Sequence, residues 1–129
     1  MWAWLEAFAA GPGGVLAVQS YHDPNGGPWE LSARRLDGEQ SGAPFTSEPA
    51  GPLAPVLAAV AGGFLAAWAS PTFGVEFVTI AADGTAGSPT ALPSAAPPGE
   101  AEVALAAAGG RVAAVYVDRD GVRLRGSRS

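Results

Sequence analysis

A doubled glycine followed by an apolar run occurs three times in this chain, as Gly13-Gly14-Val15-Leu16-Ala17-Val18, Gly62-Gly63-Phe64-Leu65-Ala66-Ala67 and Gly109-Gly110-Arg111-Val112-Ala113-Ala114-Val115. The steps between them are 49 and 47 residues. A period of roughly 40 to 50 residues with several short strands in each unit points to an array of β-meanders. An Asp-Gly pair follows the first two runs, at Asp37-Gly38 and Asp83-Gly84, and a third would fall just past Ser129. The 129 residues therefore divide into one β-repeat domain of three units, about 1–50, 51–98 and 99–129, the last lacking its final strand.

The second unit shows the grammar most clearly. Val56 to Val60 precedes the Gly62-Gly63 turn; Phe64 to Ala69 follows as a strand, Ser70 to Gly74 as a turn and Val75 to Ala81 as a third strand. Asp83-Gly84 then leads to a Pro-punctuated segment, Ser88 to Leu92. Asp-Gly suits a tight turn because glycine adopts positive φ without steric cost. Phe64, Ala66 and Trp68 alternate with Leu65, Ala67 and Ala69, so both faces of this strand are apolar. A strand apolar on both faces is covered on both sides, which predicts an all-β, propeller-like stack of antiparallel meanders: two near-complete blades and one truncated one. The rival is helical, since Ala104 to Ala108 contains four of the best helix formers. Repeated glycine pairs, and prolines at 49, 52, 55, 71, 89, 93, 97 and 98, restrict any helix to about two turns.

Composition narrows the function classes. Of the apolar 48%, 28 residues are alanine, so the core rests on few large side chains, chiefly Trp2, Trp4, Phe8, Leu16, Leu31, Leu57, Phe64, Leu65, Trp68, Phe77, Ile80, Val103, Leu105 and Val112. The net charge of −5, with seven arginines and no lysine, gives no basic stripe for a phosphate backbone and argues against nucleic acid as a partner. Arg119, Arg123, Arg125 and Arg128 cluster near the end of the chain, read as the polar face of a strand that alternates with Val122 and Leu124 or as a local anion site. Cysteine is absent, which removes disulfides and cysteine-based zinc or redox sites. Met1 to Ala10 is apolar but lacks a basic start and is interrupted by Glu6, so it reads as a first strand in register with the second unit rather than as a secretory signal. No apolar run approaches the roughly 18 residues that a helical membrane span requires, so no span is expected.

These residues carry a resemblance. Pro55-Val56-Leu57-Ala58, Gly63-Phe64-Leu65-Ala66-Ala67-Trp68, Phe77-Val78-Thr79-Ile80, Asp83-Gly84-Thr85 and Leu92-Pro93 together resemble one blade of the β-propeller repeats of large bacterial surface and secreted proteins. The first unit departs by placing Gln19 at the position of Trp68 and by lengthening the turn Tyr21 to Pro28; the third places Val115 there. The resemblance implies a structural scaffold, often secreted or surface-exposed, and supplies no shared catalytic residues.

The lengthened turn is the best candidate for a binding site. Tyr21-His22-Asp23-Pro24-Asn25-Gly26-Gly27-Pro28-Trp29-Glu30 gathers the single histidine, two aromatics, two carboxylates and an amide. Tyr21 and Trp29 can stack a sugar or a protein segment, with His22, Asp23 and Asn25 as polar contacts. Asp-Pro-Asn-Gly-Gly is equally good turn chemistry. His22 beside Asp23 has no serine nucleophile nominated for it, so no catalytic residue is assigned. Asp118-Arg119-Asp120-Gly121 resembles the start of a calcium loop without its further acidic ligands and reads as a hairpin turn, so no metal and no cofactor is expected. Glu30, Glu76 and Asp118 are the carboxylates from which a glycosidase pair would be assembled, at a spacing the sequence does not set.

The expectation is a non-catalytic binding or scaffold module on propeller-type blades. Its partners would be a glycan or protein ligand, and either a second copy or another chain that completes the ring. The alternatives are a carbohydrate-active enzyme or lectin on the same blades, or a purely structural piece of a larger ring.

Overall fold

In the computed structural model the described residues form eleven strands joined by turns, and no helix. The structure describes residues 2–11, 13–36, 44–48, 53–70, 74–91, 102–108, 111–118 and 121–128; for 2–5, 70, 74, 102, 116–118 and 121–128 it describes the backbone. Asp37-Gly38, Gly109-Gly110, Arg119, Asp120 and the turn residues 71–73 lie outside these ranges.

Three antiparallel sheets follow one another along the chain, each a meander of neighbouring strands, and none closes on itself. The first contains β1 (Trp2–Gly11), β2 (Gly14–His22), β3 (Trp29–Arg35) and β4 (Thr46–Glu48). The second contains β5 (Val56–Val60), β6 (Gly63–Ser70), β7 (Gly74–Ala81) and β8 (Thr90–Ala91). The third contains β9 (Glu102–Ala108), β10 (Arg111–Asp118) and β11 (Gly121–Arg128). The alanine run Ala104 to Ala108 is strand, paired residue for residue with β10. Cross-strand pairing overrides its helix propensity.

The first hairpin of each sheet closes in the same way, with Gly11 opposite Gly14, Val60 opposite Gly63 and Ala108 opposite Arg111. This register corrects one alignment expected from the glycine pairs. Counted from the hairpin, Tyr116 and not Val115 stands at the position of Trp68, because the third glycine pair sits one place earlier relative to its turn. The Asp83-Gly84 turn is built as its sequence dictates: Gly84 has φ of 96°, Gly84 N–H donates to Ala81 O at 2.9 Å, and Thr85 N–H donates to Asp83 Oδ1 at 2.9 Å. The exposed Asp83 carboxyl is held below the usual range mainly by its hydrogen bonds from Thr85.

The sheets pack face to face, with β1 against β5 and β5 and β6 against β9. Leu16, Val18, Leu31 and Ala33 of the first sheet meet Phe64, Ala66, Trp68, Val78 and Ile80 of the second in one buried cluster, joined by Leu53. Because side chains alternate along a strand, Leu65 and Ala67 point to the opposite face, toward the third sheet. Ala67 is fully buried there, so both faces of β6 are covered. Gly11 allows the first two sheets their close approach. A Cβ at that position would lie 2.8 Å from Phe64 Cε1 and 2.9 Å from the Ala59 Cβ.

The core differs from its expected membership in particular ways. Leu16, Leu31, Phe64, Trp68, Ile80 and Val112 are buried, whereas Phe8 is 67% exposed. Phe8 stands opposite Ala17, on the face of the first sheet turned away from the second. Leu57, Leu65, Phe77, Val103 and Leu105 are half-buried, and the side chains of Trp2 and Trp4 lie outside the described residues. Leu53, Val18, Val75 and Val78 complete the core, together with three polar residues, Ser20, Ser32 and Glu48.

Candidate functional site

The lengthened turn opens between the last pair of β2 and the first pair of β3, His22 opposite Trp29. Asp23 organises it: its Oδ1 accepts the Asn25 N–H at 2.9 Å and its carbonyl accepts the Gly26 N–H at 3.1 Å. Gly26 and Gly27 follow with φ of 105° and 117°, the left-handed region that a side chain would strain. Asp23 is thus both the turn's architect and one of its polar groups. Asn25 is exposed at the tip.

The turn brings His22 and Trp29 together. Their rings stack with centroids 4.0 Å apart and planes 6° from parallel. Trp29 also packs against the core between the first two sheets. Tyr21 is placed elsewhere. It pairs with Glu30 one step along the strands, on the opposite face of the sheet, and its hydroxyl donates to Gln19 Oε1 at 2.9 Å. The two aromatic platforms therefore stand on different faces. His22, Asp23, Asn25 and Trp29 form one group, and Tyr21 with Glu30 forms another.

Beside Trp29 lies a feature with no signal in the sequence. Glu48 pairs with Trp29 in the sheet and is 1% exposed. It acts on the carboxyl of Glu76, in the second sheet, closely enough to raise it. Glu76 also accepts a hydrogen bond from Trp68 Nε1 at 3.1 Å, and Phe45 packs on the Trp68 ring with centroids 5.5 Å apart. Burial pushes the Glu76 carboxyl up to about 7, the hydrogen bond and negative charge of Glu48 add to the rise, and the Trp68 N–H opposes it. Two neighbouring carboxyls disfavour a second negative charge, which favours a proton on Glu76. Glu48 Oε2 is buried without a hydrogen-bond partner. Of the carboxylates singled out in the sequence, Glu76 enters this pair, while Glu30 lies on the far face of its sheet. Glu48 carries no local motif; only its place on a short fourth strand brings it to Glu76.

The opposite end of the same interface is held by Arg35. Its guanidinium donates to Ala82 O in the second sheet's turn at 2.5 Å and to Gly13 O in the first hairpin. An open cleft of about 530 Å³ lies along that end of the second sheet, lined by Val60, Phe64, Ile80, Thr85 and Ala86 among others. None of the residues expected to bind a ligand borders it. Among the described residues no three of His, Cys, Asp and Glu gather as metal ligands, and no helix is long and apolar enough to cross a membrane. The chain matches no family model, no curated protein and no solved structure.

Proposed function

We propose that this chain is an array of β-propeller-type blades, like those of bacterial surface and secreted proteins, that serves as a non-catalytic binding or scaffold module. The observation that carries the reading is the stacking of three meanders with first strand against first strand, β1 on β5 and β5 on β9. That is the order in which blades follow one another around a propeller axis. On such a scaffold the functional surface is a loop that scaffold stability does not require. The turn after β2 fits this description. It spans six residues between paired positions, against three after β6 and two after β10.

His22, Asp23 and Asn25, backed by Trp29, form the contact surface for a glycan or a protein segment, with Tyr21 as a separate contact on the far face. A carbohydrate-active enzyme is the weaker reading. Of the carboxylates from which a glycosidase pair could be drawn, Glu30 lies on the far face of the first sheet and Glu76 on the interface side with Trp68, so these two do not converge on one bond. Glycan-array and pull-down binding by the whole chain, compared with the variant H22A/N25A, tests the proposal. Binding that the variant loses while its circular dichroism is unchanged supports it; binding that persists undiminished places the contact elsewhere.

A further inference from the structure

From the two end faces of the stack we infer that this protein docks to a second copy of itself head to tail, the third sheet of one copy covering the first sheet of the other; this rests on the blade reading above. The matching hairpin registers allow the faces to be compared position by position. Phe8 in β1 corresponds to Leu57 in β5 and Leu105 in β9, each three residues before the hairpin closes. Leu57 packs against the core beneath the first sheet, and Leu105 is half-buried. Phe8, the largest of the three, is 67% exposed. At the other end, Val115 in β10 corresponds to Val18 in β2 and Ala67 in β6. Both of these are 0% exposed, covered by the next sheet in the stack, whereas Val115 is 39% exposed.

The exposed apolar positions are therefore those whose counterparts inside the stack are covered by a neighbouring sheet of the same pattern. Ala104 and Ala106, which share the Val115 face, are exposed too, while their counterparts in β1 and β5 are half-buried. The chain itself shows what covers each face: the face bearing Phe8 accepts a sheet of the kind that ends at Val115. Glu30 and Arg34 on β3 edge the Phe8 face, the polar rim that an interface with a dry centre carries. Two unlike faces meeting in this way make a heterologous contact, which closes a ring when the rotation allows it.

Sedimentation of the whole chain at micromolar concentration, with Phe8→Arg and Val115→Arg alone and mixed one to one, tests the inference. The wild type is expected at twice the chain mass. Each variant alone is expected at the chain mass, and the mixture recovers an association because each partner keeps one intact face. A monomeric wild type overturns the inference, as does a Val115→Arg protein that pairs like the wild type, which marks a symmetric contact through Phe8, or a mixture that stays dissociated. Where an arginine variant loses the wild-type circular dichroism, Phe8→Ser or Val115→Ser takes its place. A wild type that stays monomeric with its three sheets stacked leaves the blade reading standing; loss of the stack itself removes both.

Discussion

Glu48 of the first sheet raises the carboxyl of Glu76 in the second, which favours a proton on Glu76 at the interface between them. The sign of its effect follows from linkage. Between the ordinary carboxyl value and about 7, the folded protein holds a proton on Glu76 that the unfolded chain has released. The contribution is fully present below about 4.5 and is lost as pH rises through 7. Thermal midpoints are therefore expected to fall from pH 5 to pH 8. In Glu76→Gln, whose amide donates without a proton to lose, this fall is expected to flatten, with the variant the more stable protein at pH 8. A wild-type midpoint that rises over the same interval contradicts the assignment.

Gly11 faces the ring of Phe64 with no room for a methyl group. Gly11→Ala is expected to destabilise the chain by about 1 to 3 kcal/mol, the usual cost of overpacking a filled core. The variant G11A/F64L, which shortens the opposing side chain, is expected to regain part of that loss relative to Phe64→Leu alone. Urea denaturation of the four proteins measures the coupling, and strict additivity would mean that the two residues do not meet.

Arg35 holds two carbonyls, Gly13 O and Ala82 O, from different sheets. Hydrogen bonds from a charged donor contribute roughly 1.5 to 3 kcal/mol each, less where water replaces the donor. Arg35→Met keeps much of the aliphatic stem and is expected to cost about 1 to 3 kcal/mol, with faster amide exchange in the turn after β7. Exchange unchanged at Gly84 and Thr85 would show that the guanidinium does not fasten that turn.

Trp29 is committed to packing as well as to any ligand, which decides how its variants are read. Trp29→Ala is expected to lose about 3 to 5 kcal/mol, the range for a large aromatic removed from a core, and less in proportion to its remaining exposure. His22→Ala removes the stacked ring alone and is expected to cost about 0.5 to 1.5 kcal/mol. Denaturant midpoints of the two variants separate these effects, and equal losses would mean that the Trp29 ring is held chiefly by His22.

The strand pattern was legible because glycine pairs and Asp-Gly turns act locally. The boundaries expected at Val56 to Val60 and Val75 to Ala81 agree with β5 and β7 to within a residue. The double-sided apolar pattern of β6 likewise announced a strand covered on both faces. What escaped was set by stacking. Phe8 reads as core because it is large and apolar, yet its face lies at the end of the stack. Glu48 carries no signal in the sequence, and its burial comes only when the second sheet lies over the short strand β4. In the turn, proximity along the chain grouped Tyr21 with Trp29, whereas strand alternation sends them to opposite faces. Register and sheet order decide such matters, and neither is written in local composition.

The three sheets stack face to face, with the second covered on both sides. Nuclear Overhauser contacts test this stacking most directly. The methyl groups of Leu16 and Val18 are expected to show contacts to the rings of Phe64 and Trp68, and the Ala67 methyl to protons of β9. Rings of Phe64 and Trp68 that contact only residues of their own sheet would rule out the stack.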